Sequence, residues 1–473
     1  MLEKTQQVAS ARLVLLLACG AAFLSLLDAT VVNLAIADLH LDFQGASLTG
    51  LSWVITAYAV LLAAMLSAAG RLADTRGARP LFIGGITLFT LFSLLCGLAP
   101  NPTTLIAARA LQGVGAAAMI PASLALLLTN LPTSERAKAI GLWSGAGGLA
   151  AAVGPTLGGV LVDAWGWRAL FLINIPVGLA ILIGARRLAR TQVGERRHFP
   201  DVLGSVLLAG GVGAIVLGAT EGQTWGWSDA RTLLSIAGGV VAVARAVVRS
   251  RHHAAPAIEI SLWRNRSFAA TNLASLLYGA SLYSLLLIGV LVLTQVWDYS
   301  VLRAGLAMTP GAFTSMVGAV VGGRMIEKRG PRPVLIIGAL LMVAACVSTI
   351  VWLSTTPNYL GLWLPVGLII GLGMGAVAVA TNSAAALNAP PVRFAGAIGL
   401  NTTARQVGGA LGIAALAIIQ TERAGQGLSP FTWVYVWGTA TAVGAALAAL
   451  GIAKSTTSAV VPVARATVER AAR

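Results

Sequence analysis

A few ionisable side chains stand deep inside long apolar runs, among them Asp28, Arg109, Glu221 and Arg405. In a hydrocarbon environment each would cost at least about 3 kcal/mol unless it met water or a partner. Each is therefore a candidate for carrying a proton or contacting a polar cargo. Asp28 lies roughly 12 Å, and Arg109 roughly 9 Å, from the same end of their respective runs at 1.5 Å per residue. At matched depths on neighbouring helices they could form an ion pair. A carboxylate that takes a proton from one side and releases it to the other is what proton-driven transport requires; the competing reading is a permanent structural bridge. Glu221, about twenty residues into its run, is either a second proton site or a solvated helix end. Arg405, beside Gln406, either reaches a cavity or lifts its guanidinium toward the surface. Asn401, Gln112 and Asn33 are further polar candidates for lining such a cavity.

The elements that position these groups follow from composition. Of 473 residues, 57% are hydrophobic and 10% charged, against roughly 25% charged in soluble domains. Only lipid can cover that much apolar surface, so the chain reads as an all-α polytopic membrane protein. The net charge of +16 sits in short clusters between apolar runs and does not indicate nucleic acid. Cys19, Cys96 and Cys346 are dispersed within apolar runs and lack metal-ligand spacing. The His252–His253 pair falls in a basic loop, and no metal or other cofactor is expected.

Fourteen runs are long enough to span, at about 12–36, 49–70, 80–98, 103–127, 139–161, 169–188, 201–221, 231–249, 268–293, 303–325, 333–353, 360–384, 396–420 and 431–453. The first is too long for a signal-peptide core, contains Asp28 and lacks a small-residue cleavage site. Of the 32 Lys and Arg, Arg109 and Arg405 fall within spans and Arg168, Arg231, Arg303 and Arg423 on one side. All the others fall on the opposite side, which the positive-inside rule makes cytoplasmic together with both termini. Trp165, Trp167, Trp225 and Trp227 at the less basic ends suit an interfacial aromatic belt.

A phrase recurs in this pattern. Residues 70–80 read GRLADTRGARP and residues 323–333 read GRMIEKRGPRP. Gly70, Arg71, Arg76, Gly77, Arg79 and Pro80 recur as Gly323, Arg324, Arg329, Gly330, Arg332 and Pro333, with Asp74 answered by Glu327. The copies join spans 2 and 3 and spans 10 and 11, so two related halves are separated by an inserted pair, spans 7 and 8. The AIGL at 139–142 and 397–400, entering spans 5 and 13, echoes the same spacing. A positive-inside anchor would explain the arginines but not the glycines or the acid. Gly77 allows a tight reversal, and Asp74 or Glu327 can pair with arginines or face a helix N-terminus across the gap between halves. Gly70, Asp74, Arg76, Gly77, Arg79, Glu327 and Arg329 thus form a candidate conformational latch.

With these residues in view, the sequence resembles the major facilitator superfamily, whose loop between helices 2 and 3 carries the pattern matched by Gly70, Leu72, Asp74, Gly77 and Arg79. Fourteen spans are similar to its drug–proton antiporter branch, as are LDATVVNLAI at 27–36, RALQGVGAA at 109–117 and GLWSGAGGLAAAVGPTLGG at 141–159. EGQTWGW at 221–227 and NTTARQVGGALG at 401–412 add to the likeness, which covers essentially the whole chain; Ala150 departs from the branch's usual glycine. The resemblance implies a basic proton-transfer role around Arg109 and an acid at Asp74 that stabilises the outward-facing state. It also implies a hinge in span 5 at Gly141, Gly154, Pro155, Gly158 and Gly159, where small residues allow close packing and proline removes a helical hydrogen bond.

The expected architecture is the major facilitator fold: an N-terminal six-helix bundle at 1–190, two inserted helices with basic loops at 191–266, a C-terminal six-helix bundle at 267–455 and a cytoplasmic tail at 456–473. The expected function is proton-coupled export of lipophilic small molecules such as antibiotics across a bacterial plasma membrane. The chain would act as a monomer in the lipid bilayer, with Asp28, Arg109 and Glu221 in proton coupling. Export of an endogenous metabolite or lipid, import on the same fold, and a membrane sensor are the alternatives. No clustered nucleophile and base, and no nucleotide motif, points to an enzyme.

Overall fold

The computed structural model describes residues 2–44, 46–188, 201–253 and 256–453. The expected tail at 456–473 lies outside the described residues, as do the side chains of Asn33 and Pro155. Among the described residues, thirteen helices are long and apolar enough to span a membrane, and a bent pair over 133–165 makes the fourteenth. In chain order they are α1 (Leu2–Val31), α2 (Leu48–Arg76), α3 (Ala78–Gly97), α4 (Pro102–Thr129), α5 (Arg136–Trp165), α6 (Asn174–Arg186, which spans together with the preceding turn Ala169–Leu172) and α7 (Val202–Trp225). They continue with α8 (Ala230–Ser250), α9 (Arg266–Leu291), α10 (Val301–Arg329), α11 (Pro331–Trp352), α12 (Leu364–Leu387), α13 (Phe394–Glu422) and α14 (Ser429–Ala449). Helices suit this chain because they satisfy backbone groups within the segment where no water can.

The packing repeats. In the first bundle α1 packs on α5, α2 and α3 on α4, and α3 on α6; in the second, α9 packs on α13, α10 and α11 on α12, and α11 on α14. Each contact recurs with helix numbers raised by eight, as the duplicated phrase requires. Two seams join the bundles, α2 against α13 and α5 against α10, and the repeat exchanges one seam for the other.

The inserted pair stands outside this core. α7 packs on both α2 and α13, and α8 packs chiefly on α7. Gly211 and Gly239 make their crossing close: a Cβ on either would lie 2.7–2.8 Å from the other's carbonyl oxygen. At the basic end Asp201 caps α7 through the Gly204 N–H (2.8 Å) and accepts from Arg249 Nε of α8 (2.7 Å). Burial alone would raise the Asp201 carboxyl, but Arg249 and the Gly204 N–H hold it below the usual carboxylate range. A groove of about 600 Å³ opens between α7 and α8, lined in part by Leu207, Val241, Arg245 and Arg249. It lies on the periphery, off the axis between the bundles.

The first span runs further than expected. Helical turns continue from Val32 through Ile36–Asp42, because Leu39 is buried and Asp42 is held by Arg168 Nη1 (2.7 Å) and Trp167 Nε1 (3.0 Å). Those two donors, Arg168 foremost, keep the Asp42 carboxyl below the usual range. Trp167 is thereby a core residue, 3% exposed, whereas Trp165 is 71% exposed; of this WGW pair only Trp165 has the exposure of a belt residue.

Candidate functional site

The apolar first bundle encloses a polar cluster. Asp28 on α1 and Arg109 on α4 are 0% and 1% exposed, and Arg109 Nη1 lies 2.6 Å from Asp28 Oδ2. The same guanidinium donates to Gln112 Oε1 (2.7 Å) and, through Nε, to the Val54 carbonyl of α2 (3.1 Å). Asp28 Oδ1 accepts from Gln112 Nε2 (3.0 Å) and from Asn174 Nδ2 of α6 (2.9 Å). Asn174 also donates to Ser93 Oγ of α3 (3.0 Å). Tyr58 of α2 lies under the guanidinium, 4.1 Å from ring centre to Cζ. Five helices thus converge on one polar cluster, two of them besides α1 bonding the carboxylate directly.

Desolvation makes this cluster stable only while every member is present, since removing one partner of a buried ion pair typically costs about 3–5 kcal/mol. Neutral Gln112 and Asn174 both donate to Oδ1 and Arg109 donates to Oδ2, so the carboxylate is partnered on both oxygens and a proton at Asp28 competes with these donors. Gln112, expected at a cavity wall, belongs instead to this cluster and is fully buried. Asn174 escaped the sequence reading, although an asparagine at membrane depth is itself a signal. Tyr58 is indistinguishable in sequence from a core aromatic.

Glu221 is no solvated helix end. It is 2% exposed on α7, beside the hydroxyls of Thr56 on α2 and Thr224, with Oε2 lacking a hydrogen-bond partner. The packing of α7 on α2 excludes water from a position that helix numbering alone puts near an end.

On the second bundle, Arg405 Nη1 approaches Asn382 Oδ1 of α12 (3.5 Å), and Asn382 Nδ2 approaches Ser144 Oγ of α5 (3.3 Å). These side chains cross from one bundle to the other. Gln406 accepts from the Tyr283 hydroxyl of α9 (2.6 Å). Asn401 donates to Ser275 Oγ (2.6 Å) and is fully buried in the α9–α13 contact, so it lines no open space. Asn382 is an additional residue that no motif marked, and Ser144 falls within the 141–159 stretch without having been singled out there.

The duplicated phrase occupies the basic ends of the two seams. Asp74 Oδ1 and Oδ2 accept from the N–H groups of Ala395 (3.0 Å) and Gly396 (2.8 Å) at the start of α13, where a carboxylate is favoured by the helix dipole. Glu327 Oε1 accepts from the Lys138 N–H in the first turn of α5 (3.2 Å). The glycines explain the spacing. A Cβ on Gly70 would collide with the Ala395 carbonyl, and one on Gly323 would lie 2.8 Å from that of Ala137. Gly399 and Gly141, the glycines of the AIGL echo, face Gly70 and Gly323 in turn. Gly77 (φ 99°) and Gly330 (φ 75°) end their helices in conformations that side chains resist.

The arginines of the phrase do less across the gap. Arg79 Nη2 bonds the Arg186 carbonyl within its own bundle (3.3 Å), and Arg76 and Arg329 are exposed. Arg71 instead meets a residue the sequence did not mark. Glu259, on the segment between α8 and α9, approaches Arg71 Nη1 of α2 (3.6 Å) and Arg393 Nη1 at the start of α13 (3.3 Å). An isolated acid in a basic loop was the available signal.

The hinge residues divide between two contacts. Gly141, with Gly145 and Gly148, packs α5 on α10, while Gly154 abuts Thr30 of α1. α5 bends by 46° between Thr133–Gly154 and Thr156–Trp165. Gly158 is buried, and Gly159 lies near Leu302 of α10 (3.8 Å for an added Cβ).

A family model described as Major Facilitator Superfamily matches residues 18–413. The chain belongs to the major facilitator superfamily. It is 38% identical over 410 residues to the puromycin resistance protein pur8 of Streptomyces alboniger, covering 85% of this chain and 80% of the relative. It is 34% identical to the tetracenomycin C resistance and export protein of Streptomyces glaucescens (86% and 75% covered) and 34% identical to the cephamycin export protein CmcT of Amycolatopsis lactamdurans (88% and 86%). These relatives accord with the fourteen-helix drug–proton antiporter branch. The human organic anion transporter MFSD10 (TETRAN) shares the fold, with TM-score 0.66 over 92% of this chain and 99% of its own at 15% identity. This facilitator-type chain is therefore a multi-pass membrane transporter with bacterial relatives.

Proposed function

We propose that this facilitator exports lipophilic small molecules of the antibiotic class from a bacterial cell, driven by protons moving inward. The observation that carries this reading is the buried Asp28–Arg109 pair, a carboxylate in the apolar first bundle held by three side-chain donors. A proton on Asp28 removes the charge that attracts Arg109, and the guanidinium keeps its bonds to Gln112 and the Val54 carbonyl. Val54 and Tyr58 belong to α2, the helix whose other end carries Gly70 and Asp74 roughly 30 Å away at 1.5 Å per residue. Proton exchange at one end of α2 therefore bears on the seam at the other, which is how alternating access is coupled to a proton here. Glu221, also against α2, is the second proton site.

In this reading the basic face is cytoplasmic with both termini, the chain works as a monomer within the bilayer, and the bundles at 1–190 and 267–455 rock about the bend in α5. The Asp74 and Glu327 clasps, with Glu259 above the first, hold the cytoplasmic side shut. The names of the relatives support small antibiotics as cargo. The test is reconstitution into vesicles with an imposed pH gradient, screening lipophilic antibiotics for accumulation. Gradient-driven uptake in inverted transporters that is lost in Asp28→Asn is expected. Accumulation indifferent to collapsing the gradient and to Asp28→Asn would remove proton coupling.

A further inference from the structure

The charges buried in the spans do not balance where the bundles meet. Asp28 and Arg109 offset one another within the first bundle, and Glu221 sits on the inserted α7. Arg405 forms no ion pair among the described residues. It lies eleven residues into α13, roughly 17 Å from the basic end and so near the middle of a 30 Å hydrocarbon layer. One long hydrogen bond to neutral Asn382 engages Nη1. None of its other nitrogens is both buried and unpartnered, and the residue is half-buried, so part of the guanidinium meets accessible space.

The surroundings are those of a binding wall. Tyr283 and Gln406 are half-buried beside it and bonded to each other, and Asn382 continues the polar line to Ser144 on the opposite bundle. A guanidinium left without a counter-ion at mid-membrane depth is stabilised by whatever anion enters, and its planar fork matches a carboxylate in two parallel hydrogen bonds. We propose that Arg405 anchors cargo carrying an acidic oxygen group, a carboxylate or ionised phenol on an aromatic or lipophilic body. Tyr283, fixed by Gln406, would contact that body, and Asn382 would hold the guanidinium in place. This rests on the export reading above and specifies its substrate class.

The test is equilibrium binding to the purified full chain in nanodiscs of phosphatidylcholine, which supplies no anionic lipid to compete. The probes are 1-pyrenebutyrate, its methyl ester and the trimethylammonium analogue of the same scaffold. The carboxylate should bind about tenfold more tightly than the ester, as expected for a charge-assisted hydrogen bond, and the ammonium should bind most weakly. Arg405→Gln should level carboxylate and ester while leaving ester binding intact, which also reports that the variant is folded. Arg405→Lys, which keeps the charge and loses the fork, should fall between; Arg245→Gln, removing an exposed charge on α8, should leave the ranking unchanged. Equal or tighter binding of the ammonium by the wild type, or a carboxylate preference that survives in both Arg405 variants, overturns the proposal. No gradient is present, so the outcome is separable from that of proton coupling. A protein that pumps with a gradient but ranks the ammonium first keeps the export reading and loses this one.

Discussion

The two seams between the bundles are built from the same phrase and differ in what covers them. At the α2–α13 seam Asp74 is half-buried, accepts two backbone N–H groups and has Glu259 spanning Arg71 and Arg393 beside it. At the α5–α10 seam Glu327 is exposed and accepts one N–H at 3.2 Å. The glycine contacts correspond in both, but the first seam is the tighter: a Cβ on Gly399 would lie 2.6 Å from the Leu66 carbonyl oxygen, and one on Gly141 2.9 Å from that of Ala319, so close packing and electrostatics both favour the α2–α13 side. The cause is the inserted pair: α7 packs against α2 and α13, and the segment after α8 supplies Glu259. A charge-assisted hydrogen bond gains from that shelter, whereas an exposed carboxylate is screened. The duplicated sequence thus yields one strong clasp and one weak one.

The glycines give the most severe way to break this symmetry. Gly70→Val should keep the first seam from closing and abolish transport, because the Ala395 carbonyl cannot retreat without moving α13; overpacking of this kind costs about 1–3 kcal/mol or more. Gly323→Val should do the same at the second seam, so two inactive but folded variants are expected, judged by transport and by size-exclusion profile. The acids should separate the seams. Asp74→Asn turns an acceptor into a donor facing an N–H and should lower transport about tenfold or more, a loss of about 1.5–3 kcal/mol. Glu327→Gln should cost well under 1 kcal/mol and leave transport within about twofold, and equal losses would refute the asymmetry. The smallest effect belongs to Glu259→Gln, about 0.5–1 kcal/mol for a partly exposed pair. It should appear as faster opening of the basic face, read by cysteine accessibility on α13, and should fade as salt is raised.

Much of this was legible in the sequence for physical reasons. Apolar length and basic asymmetry marked the spans, and the repeat with its offset of eight helices marked the inserted pair. Asp28 and Arg109 stood out because charge at membrane depth is costly, and the structure brings them into contact. What sequence could not show was direction around a helix axis. Gln112 and Asn401 were polar and equally eligible for a cavity wall, yet helix packing buries one against Asp28 and the other against Ser275. Glu221 looked near an end until α2 covered it, and Trp167 looked like an interfacial residue until Asp42 was placed above it. Glu259 lies in a loop without periodicity, and its partners come from α2 and from the start of α13, more than 100 residues away in either direction.

Coupling between the Asp28 proton and the closure of the basic face can be read from one distance. Spin labels at Ser134 and Val392, exposed residues on opposite bundles at that face, would be placed in a chain with Cys19, Cys96 and Cys346 replaced. Their separation would then be measured by pulsed electron resonance in mildly alkaline and mildly acidic buffer. A proton that loosens the Asp28–Arg109 pair should lengthen the distance on acidification in the wild type, and Asp28→Asn should abolish that response. A pH-dependent opening that persists undiminished in Asp28→Asn would show that the bundles move without exchange at this carboxylate, and would contradict the mechanism.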